Sequence, residues 1–161
     1  MQPDQWSGII KYAQDQTPEK LKADLRRREG EYSWTPLHIV SSFAPVEIIE
    51  LLLDAEGASL PNKTGKLPLH NAVEENDDIA AIDAIMNVYP YAVITKNNRG
   101  FTPLHTAFRM KFAFENFETT KSAEHISNLV SLLSNSSARA SNLWSELDLD
   151  ETKIGLLLSD E

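Results

Sequence analysis

The tripeptide Pro-Leu-His occurs three times, at residues 36–38, 68–70 and 103–105, with prolines 32 and 35 residues apart. One copy would mean little. Three at a near-constant interval indicate a chain assembled from copies of one supersecondary unit, each of which buries its apolar face only against a neighbour. The residues before the prolines are Thr35, Leu67 and Thr102. A threonine followed by proline is a helix start: the hydroxyl caps a free backbone N–H, and proline loses nothing in the first turn. The leucine faces the core. The histidine has two ring nitrogens with which to bridge backbone groups within or between units.

Each copy predicts a pair of helices. Ile39-Val40-Ser41 finishes a short first helix, Ala44-Pro45 turns the chain, and Val46 to Leu53 carries a second, strongly apolar one. In the next unit Ile82, Ile85 and Met86 recur at helical spacing, and Tyr89-Pro90 ends the helix. Leu129, Val130, Leu132 and Leu133 have the same role in the third. Gly65 and Gly100 stand two residues before the Leu67 and Thr102 positions, where a hairpin between units calls for positive φ. Ser33 holds that place in the first unit, which makes its turn less ideal. Ahead of the repeats, residues 5–13 and 18–28 read as two helices, with Thr17 capping the second and Pro18 opening it. Terminal units are expected to be degenerate, because one face meets water.

These motifs resemble the ankyrin repeat, whose period is about 33 residues and whose signature is Thr-Pro-Leu-His. The resemblance spans roughly residues 5–140. The phrases Leu-Pro-Leu-His-Asn-Ala (67–72), Tyr-Pro-Tyr-Ala-Val (89–93) and Gly-Phe-Thr-Pro-Leu-His (100–105) are similar to those of uncharacterised microalgal ankyrin-repeat proteins. The resemblance implies an all-α repeat solenoid of stacked helix pairs with projecting hairpins. It implies about four repeats, a protein-binding concave face and no catalysis. The expected organisation is an ankyrin-repeat domain over 1–140, divided into a degenerate cap (5–30) and repeats at about 31–62, 63–97 and 98–135. An acidic amphipathic tail or capping helix follows at 141–161, after a polar break at Ser134 to Ser137.

The chain departs from the pattern in two places. Leu67 removes the capping hydroxyl from the second unit. In the third, His105 precedes Leu129 by 24 residues, where His38 precedes Ile48 by 10, so residues 109–122 read as an insertion. Five of the six phenylalanines lie between 101 and 117, and Met110, Phe114 and Phe117 form a helical stripe. A first helix extended into the insertion follows from that stripe. It either packs beneath the C-terminal segment or forms a hydrophobic docking ridge.

Charge and composition remove several classes of function. The net charge is −9 over 161 residues, with six acids against Lys153 alone in 141–161. Nucleic-acid binding needs clustered Lys and Arg, and the run Arg26-Arg27-Arg28 is too short to supply it. No apolar run approaches the ~18 residues of a membrane span. The amino terminus lacks a basic, apolar leader, so the expected location is cytoplasmic or nuclear. The sequons at Asn62 and Asn135 then read as chance matches. With no cysteine, disulfides, thiolate-bound metal and thiol catalysis are excluded.

No nucleophile stands beside a plausible base and no phosphate-binding loop is present, so an enzyme is not expected. Three of the four histidines belong to the repeat and fall on successive layers, not around one ion. His125 has no second ligand at metal spacing. The acids Glu74, Glu75, Asp77, Asp78 and Asp83 lack a calcium loop's alternation. They read as a solvated cluster at a helix start, or as a patch for a basic partner. No cofactor or metal is expected.

What remains is protein binding. The candidate residues are Tyr32, Trp34, Lys66, Arg99 and Phe101 at the hairpins, with Phe43, Glu75 and Arg109 at the first helices. Aromatic and Arg side chains are enriched among binding hot spots. Trp34 has the alternative of packing on the N-terminal cap. The expected partner is a protein, with the chain a monomer or a subunit of a hetero-complex. An alternative is a regulatory or inhibitory subunit that masks a basic partner surface with its acidic patch or tail.

Overall fold

The structure is a computed structural model that describes residues 6–116 and 123–139. The leading segment forms α1 (Ser7–Asp15) and α2 (Pro18–Leu25). The first pair is α3 (Pro36–Ser41) and α4 (Val46–Leu52), followed by a short α5 (Ala55–Ser59). The second is α6 (Pro68–Glu75) and α7 (Ile79–Val88), the third α8 (Pro103–Asn116) and α9 (Ala123–Arg139). Helices α3, α6 and α8 pack as one row and α4, α7 and α9 as a second. The fold is an all-α repeat stack. Among the described residues there is no strand, and the only β pairing is a bridge between Glu29 and Trp34.

The caps form where the sequence places them. The Thr35 hydroxyl accepts from the His38 backbone N–H at 3.4 Å, and Thr102 does the same for His105 at 3.3 Å. Thr17 caps α2, which stops at Leu25, short of the predicted residue 28. Leu67 gives α6 no side-chain cap, and its own N–H donates to His70 Nδ1 at 3.1 Å. Gly65 and Gly100 have φ of 75° and 82°, and Ser33, in the equivalent place, is also left-handed at 55°.

The histidines link the layers. In the first unit Thr35 N–H donates to His38 Nδ1 and the far nitrogen Nε2 donates to the Lys66 carbonyl at 2.9 Å. His70 repeats the arrangement one layer on, with Nε2 donating to the Phe101 carbonyl at 3.1 Å. His38 and His70 therefore each fix their own helix start and the end of the next hairpin. All three motif histidines are held below the ordinary imidazole pKa by burial, His70 to about 4.

The core runs continuously along the stack. Leu37, Leu69 and Leu104 of the motif are buried together with Ile49, Ile82, Ile85, Leu129 and Leu133 of the second row. Two further links tie the first and second pairs. Asn76 donates to the carbonyls of Ser41 and Ala44, at 3.0 and 2.9 Å. Asp78 caps α7 and also accepts from Val46 N–H at 2.9 Å.

Three features differ from the sequence reading or go beyond it. Helix α9 continues through Ser134 to Ser137 and ends at Arg139, so no polar break falls there. Serine costs a helix only a few tenths of a kcal/mol per residue, and the buried Ile126, Leu129 and Leu133 outweigh that. Helix α8 does run long, to Asn116, and takes up part of the insertion. The Met110, Phe114 and Phe117 side chains and the tail 141–161 lie outside what is described. Helix α1 packs chiefly against α4, and the Trp6 ring stacks on Phe43 with centroids 5.7 Å apart.

Candidate functional site

The hairpins between units are built by asparagines. Asn62 Oδ1 accepts from Thr64 and Lys66 N–H at 2.9 and 3.0 Å. Asn97 does the same for Arg99 and Phe101 at 2.9 and 3.1 Å. Gly30 holds the equivalent place in the first hairpin, which is closed instead by the Glu29–Trp34 bridge. Asn62 is buried, with its side-chain oxygen committed to the turn, so its sequon sits in a folded turn. The three hairpins are then stitched in a row. Lys63 N–H donates to the Tyr32 carbonyl at 2.8 Å, and Asn98 N–H to the Thr64 carbonyl at 3.0 Å.

Between this row and the first-helix row lies a groove of about 220 Å³. Its lining follows the repeat. Aligning the units on their histidines puts Trp34, Lys66 and Phe101 in one column, and Tyr32, Thr64 and Arg99 in another. Ser42, Glu74 and Arg109, each four residues after a motif histidine, form a third. Asn71 and Thr106, each one residue after, complete the floor. Positions one and four past the histidine are three apart, hence on one helix face.

The columns interact across the groove. Lys66 pairs with Glu74, and Arg109 lies 3.5 Å from the same carboxylate. The Arg109 guanidinium also sits over the Phe101 ring, 5.7 Å from its centroid. A cation over an aromatic face is worth about 0.5–1 kcal/mol at an exposed site. Tyr32 and Trp34 stand beside each other with centroids 6.1 Å apart, 53% and 37% exposed.

Seven of the eight candidate residues therefore share one groove: Tyr32, Trp34, Lys66, Glu75, Arg99, Phe101 and Arg109. Trp34 lines it, 37% exposed, while Trp6 of the leading segment stacks on Phe43. Phe43 is the exception, sitting at the α3–α4 turn against Trp6. The sequence reading did not single out Asn71 or Thr106. A column-by-column comparison of the three units would have found both.

The acidic run 74–83 is divided among different tasks. Glu74 is neutralised by Lys66 and Arg109, and Asp78 is committed to capping and to Val46. Among the described residues no group of three or more His, Asp or Glu could hold a metal ion. No helix among them is long and apolar enough to cross a membrane. A search of curated proteins finds no match to this chain. Residues 32–66, from Tyr32 through the first helix pair to Lys66, match the model of the ankyrin repeat, a module that generally binds proteins.

Proposed function

We propose that this chain is a non-catalytic protein-binding module whose contact surface is the groove between the hairpin row and the first helices. The observation that carries this reading is the column arrangement. Equivalent positions of successive units, variable in residue type, converge on one concave surface that is rich in aromatic and Arg side chains. Its walls are held by backbone hydrogen bonds and buried asparagines. A partner would meet a surface already in its binding shape, and little ordering entropy would be lost. Tyr32, Trp34, Phe101 and Arg109 are the proposed anchors, with Lys66, Glu75 and Arg99 around them.

The proposed organisation keeps the repeat domain at 1–140, with a cap at 5–30 and units at about 31–62, 63–97 and 98–135. The proposed location is cytoplasmic or nuclear, as a monomer or within a hetero-complex. The likeness to the microalgal type rests on the phrases at 67–72, 89–93 and 100–105.

The test is capture of partner from the native cell with the wild-type chain and with Trp34→Ala and Phe101→Ala, alongside thermal unfolding of each. The reading expects capture to be lost with unfolding temperatures little changed. Variants that unfold early yet capture as well as wild type would remove both residues from the contact surface.

A further inference from the structure

The charge of this molecule is unevenly spread. The chain as a whole is at −9. Yet the second and third hairpins, residues 60–67 and 95–102, carry Lys63, Lys66, Lys96 and Arg99 and no acid. Arg109 adds a fifth cation on the adjoining helix face. The second-row helices α4 and α7 carry Glu47, Glu50 and Asp83 and no Lys or Arg. Lys63, Lys96 and Arg99 are exposed, and among the described residues none of them is in an ion pair. Two acids line the groove: Glu74 is already shared by Lys66 and Arg109, and Glu75 is exposed beside it.

We propose that the groove and the two hairpins beside it receive an acidic, extended segment of a partner protein, a deepening that rests on the protein-binding reading above. An extended chain sends alternate side chains to opposite sides. Carboxylates on one side would meet Lys63 and Arg99 at the hairpin tips. Apolar or aromatic side chains on the other would lie against Trp34 and Phe101. Complementary charge then selects the partner and speeds its encounter, while the aromatic contacts hold it. The selection runs against the net charge: an acidic protein takes an acidic ligand, because Lys63, Lys66, Lys96, Arg99 and Arg109 outnumber the two acids, Glu74 and Glu75, that line the groove.

The experiment uses the full chain and a short fluorescent peptide of alternating Glu and Leu with a central Trp. Matched peptides carry Gln or Lys in place of Glu. The acidic peptide is expected to bind roughly ten-fold or more tightly than the Gln peptide, with affinity falling as salt rises. Joint Lys63→Glu and Arg99→Glu substitution should weaken it by a similar factor and leave thermal unfolding unchanged. Glu74→Gln should tighten binding, because it releases Lys66 and Arg109, an outcome that a purely structural role for Glu74 does not give. Equal binding of the Glu and Gln peptides, or preference for the Lys peptide, overturns the acidic assignment. If Trp34→Ala and Phe101→Ala still abolish partner capture in that case, the protein-binding reading stands without it. A full chain with Glu146, Asp148, Asp150 and Glu151 changed to Gln serves as the last arm. Much tighter peptide binding by that variant would assign the groove to the chain's own acidic tail and overturn the partner segment.

Discussion

The backbone nitrogen of Asn98 stands 2.7 Å from where a β-carbon on Gly65 would lie. Gly65 thus meets two demands at once, a left-handed φ of 75° and the close approach of the neighbouring hairpin. Gly65→Ala should cost the left-handed penalty of roughly 1–2 kcal/mol and also push away Asn98, whose N–H bonds the Thr64 carbonyl. A total near 3 kcal/mol is expected in urea unfolding. Gly100 supplies the control: its φ is 82°, but nothing lies within 4 Å of its added carbon. Gly100→Ala should cost only about 1–2 kcal/mol. Equal losses at the two sites would contradict the close approach.

Leu67 raises the question of why one unit forgoes its threonine. The Leu67 side chain is 2% exposed, so it contributes burial where Thr35 and Thr102 contribute a cap. Burying a leucine is worth about 1.5–3 kcal/mol, and an N-cap about 1 kcal/mol. Leu67→Thr restores the motif but should destabilise the chain by about 1 kcal/mol. A gain in the denaturation midpoint would show that the cap outweighs the core here.

Much of the scaffold was legible because the repeat is local physics copied three times. Thr, Pro and His settle a helix start within four residues, and the left-handed turn followed from glycine at two copies of one position, so Ser33 could be read by register. Features that depend on a neighbour were not legible. Phe43 looks like a surface aromatic in its own segment, and only the arrival of α1 gives it Trp6 as a partner. The serines of α9 look like a break until Leu129 and Leu133 are seen to hold the helix to the stack. The groove lies between these cases. Its aromatic column was visible as residues before the motif, but the pairing of Glu74 with Arg109 required two first helices to lie side by side.

The histidine ladder makes stability depend on pH. A neutral His70 accepts at Nδ1 from Leu67 N–H and donates from Nε2 to the Phe101 carbonyl, so an added proton would meet a donor. Burial accordingly lowers its pKa from 6.5 to about 4. Between those values the unfolded chain binds more protons than the folded one. The stabilisation is complete above about pH 6.5 and lost as pH falls through about 4. At about 1.4 kcal/mol per pKa unit, His70 accounts for roughly 3 kcal/mol of it. His38 and His105 are shifted the same way. Urea unfolding from pH 7 to pH 4.5 should show a steady loss, with a shallower slope in His70→Gln. An unchanged slope in that variant would remove His70 as its source.

Asn76 carries a load that its ordinary place in the sequence conceals. It is 3% exposed, donates from Nδ2 to the carbonyls of Ser41 and Ala44, and accepts at Oδ1 from Asp78 N–H at 2.8 Å. One amide thereby closes the α3–α4 turn and the α6–α7 turn against each other. Asn76→Ala would leave two buried carbonyls and an N–H without that partner, at a cost of about 2–4 kcal/mol. Asn76→Asp is the sharper experiment. The carboxylate retains the acceptor for Asp78 but presents an anion to two carbonyl oxygens where an NH₂ stood. At pH 7 it should be at least as damaging as alanine. Near pH 4 a protonated carboxyl can donate to one of the carbonyls, so the gap between the Asp and Ala variants should move in favour of Asp as pH falls. An Asp variant as stable as wild type at pH 7 would mean that the donated pair contributes nothing and that the turns are held by the apolar core alone.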